Sequence, residues 1–164
     1  MRVNRAYFAA GSSDGKIYVA GGEYRFNATS TCEVYDCNTN KWTFVSSLPE
    51  EFSGNSGCTD DQGFFYSLGG WKGDEATGDI SADSYRYDPK SNTWTQIAPM
   101  HYDRAFHCCI HHDGRIYVFG GVDHRKRPIA HGEYYDIASG TWTITKPMPS
   151  MHNEGACFIS LFFK

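Results

Sequence analysis

Leucine is scarce in this chain of 164 residues, occurring only at Leu48, Leu68 and Leu161. Amphipathic helices normally draw their buried stripe from leucine, so a helical bundle is a poor expectation. A basic excess is missing too: 15 lysines and arginines face 19 aspartates and glutamates, for a formal net charge of −4. Nucleic acid and anionic membrane surfaces are therefore not expected partners. No apolar run approaches the roughly 18–20 residues of a membrane span, and the opening MRVNRAYFAAGSS has no apolar core of a signal peptide. The chain reads as soluble, untargeted and cytoplasmic. A nucleophile elbow, a phosphate-cradling glycine loop and a His-Glu-x-x-His zinc helix are all lacking, so neither a catalytic residue nor a cofactor is expected.

What the chain has in quantity is aromatic residues, 16% of the total, and 17 glycines. These are materials of strands and turns. The length fits one domain by the usual prior of roughly 100–200 residues. The six cysteines are Cys32, Cys37, Cys58, Cys108, Cys109 and Cys157. With no signal peptide they are read as reduced rather than as a disulfide framework. The run from His107 to His112 has residue types that suit zinc. On one extended strand, however, His107, Cys109 and His111 would span roughly 13 Å and could not close around an ion. Packing is the better reading, and no metal site is expected.

Three markers recur in a fixed order. Glycine pairs stand at Gly21-Gly22, Gly69-Gly70 and Gly120-Gly121, their second members 48 and then 51 residues apart. Each pair is followed by Tyr-Asp, at Tyr35-Asp36, Tyr87-Asp88 and Tyr135-Asp136, and then by tryptophan at Trp42, Trp94 and Trp142. Tyrosine and tryptophan are seven residues apart every time. Triplication argues for a shared packing role, since an active site is usually single. The first and third units align without a gap, placing Arg5 on Arg104, while an ungapped second unit puts Ser53 there and aligns Cys58 with Ala10 and Cys109.

Within a unit the pattern reads as short strands. An apolar or small-residue run (Ala6 to Ala10, or Ala105 to Ile110) leads through Asp14-Gly15 or Asp113-Gly114 into a second strand closed by the glycine pair. A third strand ends at Tyr-Asp, and a fourth starts at the tryptophan. Four antiparallel strands at a period of about fifty residues make a propeller blade. The order Gly-Gly, Tyr-Asp, Trp resembles the kelch motif, and Met-x-x-x-Arg at the head of the first and third units is similar to the blades of BTB–kelch substrate adaptors. The expected fold is all-β: a kelch-type β-propeller with blades over residues 1–49, 50–99 and 100–148, and residues 149–164 opening a fourth. A closed propeller has typically 4–8 blades, so an incomplete ring with open blade edges, and self-association through them, is expected.

Recognition is expected on the face carrying the second-to-third and fourth-to-first strand loops, which differ from unit to unit. Tyr24, Trp71 and Tyr102 are candidate aromatic anchors, with Phe26 beside them. Arg5, Arg25, Arg104 and Arg125 are candidate partners for carboxylates, with Asn27, Lys72, His124 and Arg127 as further candidate contacts. The basic His124-Arg125-Lys126-Arg127 run beside acidic Glu50, Glu51, Asp74 and Glu75 suggests a protein or peptide ligand of mixed or acidic charge. The resemblance implies a non-enzymatic protein-interaction module that presents its partner to a cullin-RING ubiquitin ligase through a segment absent from this chain. The alternatives are an actin-binding or cytoskeletal scaffold, and a propeller-class enzyme acting on a sugar or small polar molecule.

Overall fold

The computed structural model describes residues 1–73 and 78–150. Among them every regular element is a strand. The first blade is built from β1 (Ala9–Ser13), β2 (Lys16–Ala20), β5 (Cys32–Asp36) and β6 (Lys41–Val45), antiparallel in that order. A small hairpin, β3 (Glu23–Tyr24) and β4 (Asn27–Ala28), stands between β2 and β5. The second blade comprises β7 (Phe52–Ser53), β8 (Ser56–Thr59), β9 (Phe65–Lys72), β10 (Ile80–Asp88) and β11 (Thr93–Ile97). There β7 and β8 both pair with β9. The third comprises β12 (Cys108–His112), β13 (Arg115–Phe119), β14 (His131–Asp136) and β15 (Thr141–Pro147), again in simple order. The architecture is that of an incomplete β-propeller. Asp74, Glu75 and the segment 151–164, where a fourth blade was expected, lie outside the described residues.

Each marker of the repeat has a physical task. At the third-to-fourth turn, Asp36 Oδ1 accepts the amides of Asn38 and Thr39, at 2.9 Å each, and Asp136 does the same for Ser139 at 3.0 Å. The tyrosine hydroxyl reaches over the turn, from Tyr35 to Asn40 and from Tyr87 to Asn92. Both asparagines have positive φ, and Gly140 stands at the third equivalent position. The tryptophans tie blade to blade: Trp94 Nε1 donates to Ser46 O of the first blade at 2.8 Å, and Trp142 Nε1 to Ala98 O of the second at 2.7 Å.

Two glycines are needed because two backbones approach there. A Cβ on Gly22, Gly70 or Gly121 would lie 2.5–2.8 Å from the carbonyl of Ala6, Ser53 or Ala105 in the same blade. One on Gly21 or Gly69 would lie 2.5–2.8 Å from Phe52 O or Arg104 O, where the chain enters the next blade. All six also have positive φ.

The core lies between blades. Tyr18, Ala20 and Cys32 of the first blade pack on Phe65 and Tyr87 of the second. Tyr66 and Leu68 in turn pack on Ile116, Tyr135 and Trp142 of the third.

Two expectations are corrected. The first strands begin later than the apolar runs suggest, at Ala9 and Cys108. Ala6 and Ala105 form isolated bridges to Glu23 and Val122, and Tyr7 and Phe106 then take positive φ, breaking the extension. In addition, the second unit is shifted by one. Its hairpin turn runs through 60–64, one residue longer than the matching 13–16 of the first blade, so Ser56, not Gly57, pairs as Ala9 and Cys108 do. Phe52 therefore stands where Arg5 and Arg104 stand, and Gly57, not Cys58, matches Ala10 and Cys109.

Candidate functional site

The arginines at the head of the first and third blades turn inward. Arg5 Nη2 donates to Glu33 Oε1 at 3.0 Å, and Arg104 Nη2 to Glu133 Oε1 at 2.8 Å, with all four side chains fully buried. Their Nη1 groups meet backbone, Arg5 reaching Gly21 O and Thr31 O and Arg104 reaching Gly120 O and His131 O, while the Nε of each is buried without a hydrogen-bond partner among the described residues. Each glutamate also accepts two amides of the entering chain, from Arg2 and Val3 or from His101 and Tyr102. Burial alone would raise the Glu33 carboxyl, but those amides and Arg5 outweigh it and hold it below its ordinary value. Arg5 and Arg104 are thus withdrawn as surface contacts. Their carboxylates are the chain's own, and their remaining contacts supply donors to interior carbonyls of the glycine-pair and third-strand segments.

The second blade has neither member of this pair. Phe52 and Tyr85 occupy the equivalent positions, both buried, with ring centroids 5.8 Å apart. An aromatic contact substitutes for an ion pair there.

Other candidates do lie on the loop face. The β3–β4 hairpin turns at Arg25 and Phe26, both at positive φ, and presents Tyr24 and Phe26 to solvent. Arg25 stacks over the Tyr24 ring at 5.2 Å, and Asn27 Nδ2 donates to Arg25 O at 3.1 Å. Trp71 opens onto a pocket with Tyr7, Phe26 and Phe106, closed by Glu23 and Ser53. Tyr102, His124 and Arg127 share a second, wider concavity of about 550 Å³ with Pro128, Ile129 and His131. Tyr102 lies parallel to the His131 ring there, 5.9 Å away.

Several of these groups already have partners. Lys72 pairs with Glu50 at 2.6 Å and Asp83 at 2.8 Å. Burial opposes its charge, yet the two carboxylates raise the ammonium above its ordinary pKa. Asp123 accepts the amides of Arg125 and Arg127 on Oδ1 and the Arg127 guanidinium on Oδ2. The Arg127 side chain and amide hold the Asp123 carboxyl at about 2. His124 leans on Asp103 at 3.2 Å, while Arg125 is exposed. The loop 124–127 is therefore less free in charge than its composition suggests.

The cysteine-histidine run is divided among environments. His107 is buried, and burial followed by the nearby Arg104 charge pushes its pKa well down. Cys109 packs beside Cys58 at the second-to-third blade contact. His111 faces Asp61 at 3.6 Å. Cys32, Cys37, Cys58 and Cys109 are free thiols, whereas Cys108 is disulfide-bonded, which corrects the reading of all six as reduced.

Sequence reasoning missed Tyr7, Phe106, Glu23 and Ser53. Tyr7 and Phe106 had a signal, being aromatic residues two places after Arg5 and Arg104 in the ungapped alignment of the first and third units. Glu23 and Ser53 had none.

Comparison with known proteins gives the relationship. The KLHDC2/KLHL20/DRC7 Kelch-repeats domain model matches residues 2–121, and the Kelch motif model matches 103–149. Human Kelch-like protein 34 is 30% identical over 91% of this chain, which covers 23% of its length. Kelch-like protein 15 of Danio rerio is 31% identical, also over 91% of this chain and 27% of its own. Beta-scruin of Limulus polyphemus is 31% identical over 72% of this chain and 13% of its own. The chain thus spans about a quarter or less of these curated relatives. The solved structure of YjhT superposes with a TM-score of 0.75 at 17% identity, over 90% of this chain and 52% of that one, a likeness of fold. Its glycine pairs, Tyr-Asp turns and tryptophans recur in fixed order within the stretches that the two family models match, and this chain belongs to the kelch-repeat family.

Proposed function

We propose that this chain is a non-enzymatic protein-interaction module that binds a partner protein or peptide with the face carrying the second-to-third and fourth-to-first loops. The observation that carries the reading is the contrast on one scaffold: sheets of one pattern support loops of different chemistry, and Tyr7, Tyr24 and Phe26 stand exposed there. The blades are read as 1–49, 50–99 and 100–148, with a fourth opening at 149. Similarity to Kelch-like proteins 34 and 15 supports a finer reading, the substrate-recognition propeller of a cullin-RING ligase adaptor. In that reading the ligase is engaged through a segment other than this one. Among the described residues no helix is long and apolar enough to cross a membrane, and a cytoplasmic location accords with the reading.

The test is affinity capture with the full chain and with a Tyr24→Ala/Trp71→Ala double variant. The double variant loses the partners that the unaltered chain captures; retention of every partner overturns the loop face as the docking surface. Co-purification of a cullin with the full-length protein tests the adaptor reading. A second reading, a cytoskeletal scaffold, is favoured by the similarity to beta-scruin over 72% of the chain. Co-sedimentation with actin filaments separates it from the first.

A further inference from the structure

One carboxylate on the loop face is set among aromatic rings. Tyr7, Phe26, Trp71 and Phe106 wall a pocket of about 160 Å³, in which Glu23 and Ser53 supply the polar side-chain atoms. That volume is below the roughly 300 Å³ at which small-molecule sites begin. It suits one side chain of a bound segment.

The walls come from all three blades and are held by backbone. Tyr7, Gly54 and Phe106 occupy equivalent places, with φ of 53°, 65° and 57°. Gly54 N–H donates to Tyr7 O and Phe106 N–H to Gly54 O, at 2.8 Å each, so the three entering segments are linked in series. Bulky residues at positive φ are uncommon, and two at matching positions mean that the surrounding structure imposes the conformation. Tyr7 meets Phe106 edge-on, with centroids 5.4 Å apart and planes at 83°. Gly54 is the small member that leaves them room: a Cβ there would stand 3.0 Å from the Phe106 ring.

The chemistry of this enclosure favours a cation. Glu23 Oε2 accepts the Ser53 hydroxyl at 2.7 Å, which orients the carboxylate. Among the described residues Glu23 has no ion-pair partner, in contrast to Glu33, Glu50 and Glu133. Aromatic faces carry negative potential and attract ammonium and guanidinium groups. Trp71 already does so, with Lys126 Nζ 5.5 Å from its ring centre, and Lys126 does not line the pocket. An acidic side chain would meet the Glu23 carboxylate and four electron-rich rings. Arg5 and Arg104, the cations that could have reversed that preference, are sealed inside their blades.

We propose that this pocket receives a lysine or arginine side chain of the bound protein segment, its cation between the Glu23 carboxylate and the rings of Tyr7, Phe26, Trp71 and Phe106. The proposal rests on the loop face being a protein-binding surface. It narrows the expected ligand from one of mixed or acidic charge to one with a basic residue at this point.

The test uses the full chain with labelled indole nitrogens and two probes of one shape, N-acetyl-arginine amide and its uncharged analogue N-acetyl-citrulline amide. The arginine probe shifts the Trp71 indole signal with an apparent Kd about tenfold or more below that of the citrulline probe. Glu23→Gln brings the two values together and leaves the other indole signals in place. Equal responses in the unaltered chain, or no response of Trp71 to either probe, overturn the proposal.

Selection of a displayed random-peptide library on the same chain separates this failure from failure of the binding reading. Enrichment of a basic residue that disappears with Glu23→Gln supports the pocket. Peptides that need Tyr24 and Trp71 but carry no enriched basic residue overturn the cationic pocket and keep the docking face. Peptides indifferent to both positions overturn the two together.

Discussion

Arg104 and Glu133 have no exposed side-chain surface, and they pair with each other and with main-chain groups of the chain entering and leaving the blade. Removing Arg104 leaves Glu133 buried with no cation inside the blade, facing only the His101 and Tyr102 amides and the His101 ring. Arg104→Ala is expected to lower the unfolding free energy by about 3–5 kcal/mol, read from urea denaturation. The second blade supplies the compensating experiment. With Phe52 and Tyr85 as the precedent, the double variant Arg104→Phe/Glu133→Tyr is expected to be more stable than either single change, and a double no better than the singles would show that the amides on Glu133 matter more than the guanidinium.

His107 is a second buried titratable group at the same blade head. In the folded state its imidazole is held neutral by burial and by Arg104, while in the unfolded chain it titrates near the ordinary value of about 6.5. The unfolded state binds the extra proton, so stability contributed by the neutral imidazole is full above pH ~6.5 and falls as the pH drops below it, by about 1.4 kcal/mol per unit. His107→Asn, copying Asn55 at the equivalent position of the second blade, is expected to flatten that slope between pH 6.5 and about 5. Thermal midpoints measured across this window check it.

At the scale of elements, the units of construction are the sheet and the crossing that joins it to the next. Trp94 and Trp142 each close a hydrogen bond onto the preceding blade, whereas Trp42, in the first blade, has no such acceptor among the described residues. Trp94→Phe and Trp142→Phe are each expected to cost about 1 kcal/mol. Trp42→Phe is expected to cost less than about 0.5 kcal/mol, as for a surface change. Denaturant midpoints of the three variants decide whether the bridge or the ring carries the effect. The strands themselves were largely legible, because Asp-Gly turns, glycine pairs and Tyr-Asp turns punctuate them. The one-residue shift of the second blade was not. An ungapped alignment cannot tell a longer turn, 60–64, from a displaced strand; only the pairing of Ser56 with Leu68 locates the extra residue.

Among the described residues the first blade has an uncovered sheet face. On the first blade, Ile17 is 38% exposed, although its equivalents Phe65 and Ile116 are sealed at 1% and 0% against the blade before them. Phe44 lies exposed on that same face. As an isolated chain of 164 residues the protein is expected to self-associate through this face. Sedimentation velocity over a range of concentrations reads this, and Ile17→Lys/Phe44→Lys is expected to shift the distribution toward monomer.

What the sequence determined by itself was the architecture. A propeller repeats one local solution, so its glycine pairs, its Tyr-Asp turns and its tryptophans return in fixed order and can be read along the chain. The loop face could be located for the same reason, as the place where repetition stops. The direction of each side chain was decided only by the tertiary structure. Arg5 and Arg104 looked like free cations until Glu33 and Glu133, together with carbonyls from two separate segments each, closed around them. Glu23 looked unremarkable until four rings from different blades surrounded it. Whether a charge faces water or an internal partner depends on groups that folding brings together from distant parts of the chain, and spacing along a strand carries no record of them.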